Sequence, residues 1–163
     1  MRIAYLHGLE SNNVGPKNDW LRTVSDVFDP QIDYRHKYIY RTLLEEVIRF
    51  KPDLIVGSSM GGYFAFNIAK DLNLAAILFN PALHSRSFEP DVSGMKIGTH
   101  RPHVHVVLGE NDNVIRPADT VEILKREGFA HHSFFDHGHK TPFELFRKVI
   151  ESHLKKAAGT LEV

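Results

Sequence analysis

Short apolar runs that alternate with amphipathic helical runs predict an α/β fold, with about six mainly parallel strands in one open sheet and helices on both faces. The length agrees: 163 residues with 42% hydrophobic content make one domain with a substantial core. The run Asp53-Leu54-Ile55-Val56-Gly57-Ser58-Ser59-Met60-Gly61-Gly62-Tyr63 adds local geometry, because an apolar strand passes through a glycine-rich turn directly into a helix pattern.

The elements follow in order. Ile3–Leu6 is a short apolar strand. From Pro16 to Phe28 the apolar residues Trp20, Leu21, Val24, Val27 and Phe28 recur at helical spacing, and Pro30 blocks continuation. Gln31–Tyr34 reads as a short strand. Tyr40–Phe50 carries Leu43, Leu44, Val47 and Ile48 on one face and stops at Lys51-Pro52. Leu54–Val56 is a strand, and Met60–Leu72 a helix whose Phe64, Ala65, Ile68 and Ala69 pack on the sheet. Ala75–Phe79 and Val104–Leu108 are further strands. Thr120–Arg126 is helical with Gly128 as its stop, Ser133–Phe135 is the last strand, and Phe143–Lys156 the last helix.

One segment breaks this rhythm. Residues 84–101 hold Pro90, Gly94 and Gly98 without periodicity. A long irregular connection leaving the C-terminal end of a strand is where such sheets place ligands, so it is expected to form a small cap or loop insertion. The domain is expected to span residues 1–157, with 158–163 a frayed tail.

Composition excludes several functions. Twenty basic and twenty acidic side chains cancel, which gives no electrostatic reason to expect nucleic acid or an anionic membrane as partner. There is no cysteine, hence no disulfide and no thiol nucleophile. Met1–His7 reads as a strand rather than a signal peptide, and no apolar run reaches membrane-spanning length, so the expected location is cytoplasmic. The eleven histidines cluster at His131-His132, at His137 and His139, and at His100, His103 and His105. None matches a recognised ligand spacing, and neither a metal nor another cofactor is expected.

Gly57-Ser58-Ser59-Met60-Gly61 fits the G-x-S-x-G turn between strand and helix, which lifts a serine hydroxyl above the sheet edge. Glycines on either side let strand and helix pass closely, and the helix start aims free N–H groups at the reacting centre. Such a serine needs a base, and the base needs an orienting carboxylate. Asp112, in the loop after Val104–Leu108, is preferred as acid over Glu110 and Asp136. His139, which follows Gly138 and precedes a helix, is preferred as base over His137. The backbone N–H groups of Met60 and Leu9, the latter after His7-Gly8, are the expected oxyanion donors. Leu9, Leu83 and Phe88 are the expected apolar contacts to substrate.

With these pieces the chain resembles the α/β-hydrolase superfamily and, within it, the small YqiA-type esterases. The resemblance rests on Tyr5-Leu6-His7-Gly8-Leu9-Glu10-Ser11, the run Gly57–Tyr63, Phe79-Asn80-Pro81-Ala82, and Gly138-His139 followed by Phe143-Glu144. It implies a Ser59–His139–Asp112 triad that cleaves carboxylic esters or thioesters of short to medium acyl groups through an acyl-enzyme. The chain lacks the two antiparallel N-terminal strands and the large lid of full-size relatives. It also departs from the pattern at Phe135-Asp136-His137, where a glycine-rich approach is usual. Cleavage of an amide, lactone or carbon–carbon bond, or non-catalytic binding on the same scaffold, are the alternative readings. Oligomeric state has no signature in the sequence.

Overall fold

Alternation along the first strand sets the architecture. In a computed structural model that describes residues 1–96 and 98–159, Ile3 and Tyr5 of β1 (Arg2–Leu6) face one helical layer, and Ala4 and Leu6 face the other. The remaining elements are α1 (Pro16–Val24), β2 (Asp26–Phe28), α2 (Ile39–Phe50), β3 (Leu54–Ser58), α3 (Met60–Leu72) and β4 (Ala76–Phe79), then β5 (Val104–Gly109), α4 (Pro117–Glu127), β6 (His132–Phe135) and α5 (Phe143–Ala157). Six strands, all paired in parallel, run in the order β2-β1-β3-β4-β5-β6.

Because both sheet faces are covered, the central strands are apolar throughout rather than alternating. Leu21 of α1 with Phe146 and Ile150 of α5 packs on one face, while α2, α3 and Leu124 of α4 pack on the other. Phe146 is fully buried and lies 4.9 Å from the Phe79 ring and 5.4 Å from that of Tyr5. The strand order reverses direction between β1 and β3, so the connections leaving these two strands diverge to opposite faces. That divergence opens a crevice at their C-terminal ends, where α/β sheets hold ligands.

Two expectations are corrected. The first helix ends at Val24 instead of continuing to Phe28, because Ser25 turns extended (φ −155°, ψ 166°) and its hydroxyl bonds back to Leu21 O. Asp26–Phe28 then becomes the edge strand β2, in register with Arg2–Ala4. Val24, Val27 and Phe28 suit either period, and pairing with β1 decides between them. Gln31–Tyr34 is accordingly not a strand; Ile32 and Tyr34 instead anchor a loop in the core at 6% and 1% exposure.

The 84–101 segment contains no helix or strand among its described residues. It runs along α2 and α3: Tyr40 N–H donates to Asp91 O, Tyr38 N–H to Asp91 Oδ2, and Lys96 N–H to Asp71 Oδ2. Thus most of it takes the place of a crossover helix between β4 and β5, on the face already occupied by α2, α3 and α4. Ala158 and Gly159 close α5; the rest of the expected tail, 160–163, lies outside the described residues. No described helix is long and apolar enough to cross a membrane.

Candidate active site

Ser59 sits between β3 and α3 with φ 51° and ψ −115°, a backbone conformation that side-chain-bearing residues rarely adopt. Holding it costs roughly 1–3 kcal/mol, which the surroundings must offset. Two clamps do so: Ser59 N–H donates to Phe79 O at 3.0 Å, and Ala82 N–H donates to Ser59 O at 2.9 Å. The flanking glycines permit the turn sterically. A Cβ on Gly57 would lie 2.4 Å from Gly61 O, and one on Gly61 would lie 2.1 Å from Leu6 O.

Three side chains from separate loops meet in one hydrogen-bonded line. Ser59 Oγ lies 3.0 Å from His139 Nε2, and His139 Nδ1 lies 2.9 Å from Asp112 Oδ2. A carboxylate can only accept, so Nδ1 carries the proton and Nε2 is free to accept from the serine hydroxyl. The Asp112 side chain is fully buried. Its second oxygen accepts from the N–H groups of Val114 and Ile115, each at 2.9 Å, which fixes the carboxylate in the turn after β5.

The rejected candidates are otherwise engaged. His137 is buried, donates from Nδ1 to Gly138 O at 2.7 Å, and leaves Nε2 enclosed without a partner, away from the serine line. Asp136 is exposed and accepts from the Asn111 side chain, while Glu110 is exposed at the loop surface.

A cleft of about 870 Å³ opens beside Ser59 and His139, with Leu9, Val14, Met60, Ile115 and Phe143 among its walls. Leu9 N–H makes no backbone or side-chain hydrogen bond, and Met60 opens α3, where no residue four back can accept its N–H. Both expected oxyanion donors therefore border the cleft with amide hydrogens available. Leu83 and Phe88 do not line it: Leu83 is buried in the core, and Phe88 packs on the core beneath the Arg35 guanidinium. Leu83 lies between the cleft residues Ala82 and Ser85 with its side chain in the core, whereas after Ser87 the chain turns along α2 and takes Phe88 away from the cleft. Among the described residues, no group of three or more His, Asp or Glu side chains is arranged to hold a metal ion.

Two further residues in this region support the site without being among the expected site residues. Asn80 is 1% exposed and left-handed at φ 42°. Its Oδ1 accepts from Gly109 N–H at 2.7 Å, and its Nδ2 donates to His139 O at 2.8 Å and to Gly138 O at 3.3 Å. His7 accepts at Nε2 from Ile32 N–H, donates at Nδ1 to Gly8 O, and receives the Tyr34 hydroxyl on its own carbonyl. Because Nε2 accepts a hydrogen bond the ring is neutral, and it braces the Gly8-Leu9 turn; burial lowers its pKa, partly offset by the bond to Gly8 O. An asparagine directly after a strand, followed by proline, and a histidine at the end of β1 were the available hints.

The family model of the uncharacterised protein family UPF0227 matches residues 2–97, more than half of the chain. The chain belongs to this family. The resemblance to YqiA-type proteins is thereby on firm ground. Solved structures share the fold. Est1E from Butyrivibrio proteoclasticus superposes with a TM-score of 0.72 at 17% identity, covering 96% of this chain and 88% of its own. MGS-MChE2, an alpha/beta hydrolase enzyme from a metagenome of lagoon sediments at Mar Chica, Morocco, gives 0.68 at 18% identity, covering 96% and 91%. The S-formylglutathione hydrolase FrmB from Staphylococcus aureus gives 0.63 at 16% identity, covering 94% and 79%. Among curated proteins, none matches the sequence. The UPF0227 member thus has the α/β-hydrolase fold.

Proposed function

We propose that this protein is a serine hydrolase that cleaves carboxylic esters or thioesters of short to medium acyl groups. The reading rests above all on the line Asp112–His139–Ser59, with contacts of 2.9 and 3.0 Å, ending on a serine in a strained strand-to-helix turn. Among the similar folds, FrmB is an S-formylglutathione hydrolase and MGS-MChE2 an alpha/beta hydrolase enzyme, which supports a hydrolase reading.

The reaction has two halves. Ser59 Oγ attacks the substrate carbonyl carbon while His139 Nε2 takes the hydroxyl proton, and the carbonyl π pair moves onto oxygen. Leu9 and Met60 N–H groups hold that oxyanion. The pair returns, the bond to the leaving oxygen or sulfur breaks, and the proton on Nε2 goes to the leaving group. Water then attacks the acyl-serine, gives its proton to His139, and expels Ser59 Oγ, which takes the proton back. Asp112 holds Nδ1–H throughout and stabilises the imidazolium. On this reading residues 1–157 form a single hydrolase domain, in which the 84–101 segment is a loop insertion that brings, among its described residues, Ser85, Arg86 and Ser87 to the cleft.

Initial rates on p-nitrophenyl esters from acetate to palmitate test the proposal, with wild type beside Ser59→Ala. Hydrolysis of the shorter esters, lost in the variant, is the expected result. Equal rates in both proteins would refute a serine nucleophile.

A further inference from the structure

The wall of the cleft formed by α1 carries a cation without a counter-charge. Lys17 lines the cleft, and its ammonium lies 5.3 Å from the centroid of the Phe146 ring. Among the described residues, no carboxylate lies within ion-pair distance of it. Among the described residues, Glu10 is the one carboxylate along the cleft, and it is exposed and makes no ion pair. By contrast, Arg86 on another wall is satisfied by Glu89 and by the carbonyls of Ala82 and Leu83. Lysine is also an unfavourable choice at this point of the chain. It stands in the first turn of α1, whose cap Gly15 offers no side-chain acceptor, so its charge faces the positive end of the helix dipole.

The neighbouring polar groups are of the kind that an anion would take. Tyr5 packs against the same Phe146 ring, and Tyr5 and Ser58 both line the cleft. Burial lowers the pKa of Lys17, and a bound anion would reverse that shift.

We infer that Lys17 forms an anion subsite in this cleft, so that the preferred substrates are esters or thioesters bearing a carboxylate or similar anionic oxygen group. The inference rests on the hydrolase reading above and narrows its substrate class. An ammonium without another anionic partner, lining the cleft, can make a charge-assisted hydrogen bond to such a group. Removal of that bond costs about tenfold or more in discrimination.

The anionic group could sit on either side of the scissile bond, and two substrate pairs separate these cases. Mono-p-nitrophenyl glutarate is compared with its uncharged shape analogue, p-nitrophenyl 5-methylhexanoate. In the second pair, 4-butyryloxybenzoate is compared with 4-butyryloxybenzamide. The quantity read is the ratio of kcat/KM, charged over neutral, in wild type and in Lys17→Met, so a general loss of activity cancels. A ratio of about ten or more in one pair, collapsing towards one in Lys17→Met and at high salt, is the expected result and assigns the acyl or leaving side. Ratios near or below one in both pairs, or ratios that survive Lys17→Met, overturn the subsite. If no ester is turned over and a fluorophosphonate does not label Ser59, the hydrolase reading itself fails. Thermal shift by glutarate then decides the subsite: stabilisation lost in Lys17→Met retains it, and no stabilisation of wild type removes it.

Discussion

Asn80 Nδ2 donates to the backbone carbonyl of His139 at 2.8 Å, while Asn80 Oδ1 accepts from Gly109 N–H at 2.7 Å. One buried amide thereby ties the loop of the proposed base to the strand end that leads into Asp112. Asn80→Ala is expected to lower kcat by roughly 10–100-fold with KM little changed, because a shift of about 1 Å at a reacting group can cost that much. Steady-state kinetics read against the melting temperature check this. A variant that melts earlier but keeps its kcat would reduce Asn80 to a structural role.

The carboxylate makes a sharper demand. Asp112→Asn keeps the size of the group, but its amide nitrogen can present a donor to His139 Nδ1 and favour the other tautomer. A loss of roughly 10⁴-fold in kcat is expected. Circular dichroism should show the fold retained, and ester hydrolysis measures the loss.

Gly57 and Gly61 set the closeness of α3 to β1 and β3. Gly61→Ala would force a Cβ to 2.1 Å from Leu6 O, a backbone atom that cannot step aside without moving the strand. Destabilisation of at least about 1–3 kcal/mol is expected from such overpacking, along with a displaced Ser59. Urea unfolding gives the first number, and the rate of serine labelling reports the second.

Acid sensitivity has a separate origin, distant in sequence from Ser59. His105 of β5 stacks on His131 at 4.2 Å and donates or accepts with the Ser133 hydroxyl, with His103, His153 and Lys156 close by. Burial, then the charges of His131, His103, Lys156 and His153, push His105 down from 6.5 to about 4. His131 and His153 are lowered too, in each case first by burial and then by charges that include His103 and Lys156. Between pH 6.5 and about 4 the unfolded chain therefore binds more protons than the folded one. Stability is full above 6.5 and falls as the pH drops towards 4. Melting curves across this range should show a decline that His105→Gln reduces; an unchanged decline would assign the acid sensitivity to other groups.

Much of this fold is legible because its signals are local. The strand-turn-helix run at Gly57–Tyr63 needs only neighbouring residues, and the alternation of apolar strands with helices fixes parallel crossovers. The β2 edge strand is not legible, since Asp26–Phe28 is three residues long and suits either period until β1 offers a partner. The 84–101 segment shows the same limit: its irregularity is visible, but its hydrogen bonds to Tyr38, Tyr40 and Asp71 depend on tertiary position. At the candidate site, chain order suggested Ser59, Asp112 and His139. The role of Asn80 depends on two loops that meet only in the folded sheet, and the expectation that Leu83 and Phe88 line the cleft fails because a sequence does not reveal which way Leu83 faces or where the loop turns away before Phe88.

The most direct test of the central claim is the intact mass of the protein after reaction with a fluorophosphonate, wild type beside Ser59→Ala and His139→Ala. One adduct on wild type, mapped to Ser59, absent in Ser59→Ala and formed far more slowly in His139→Ala, is the result this account predicts. No adduct on wild type, or one that persists when Ser59 is replaced, would contradict it.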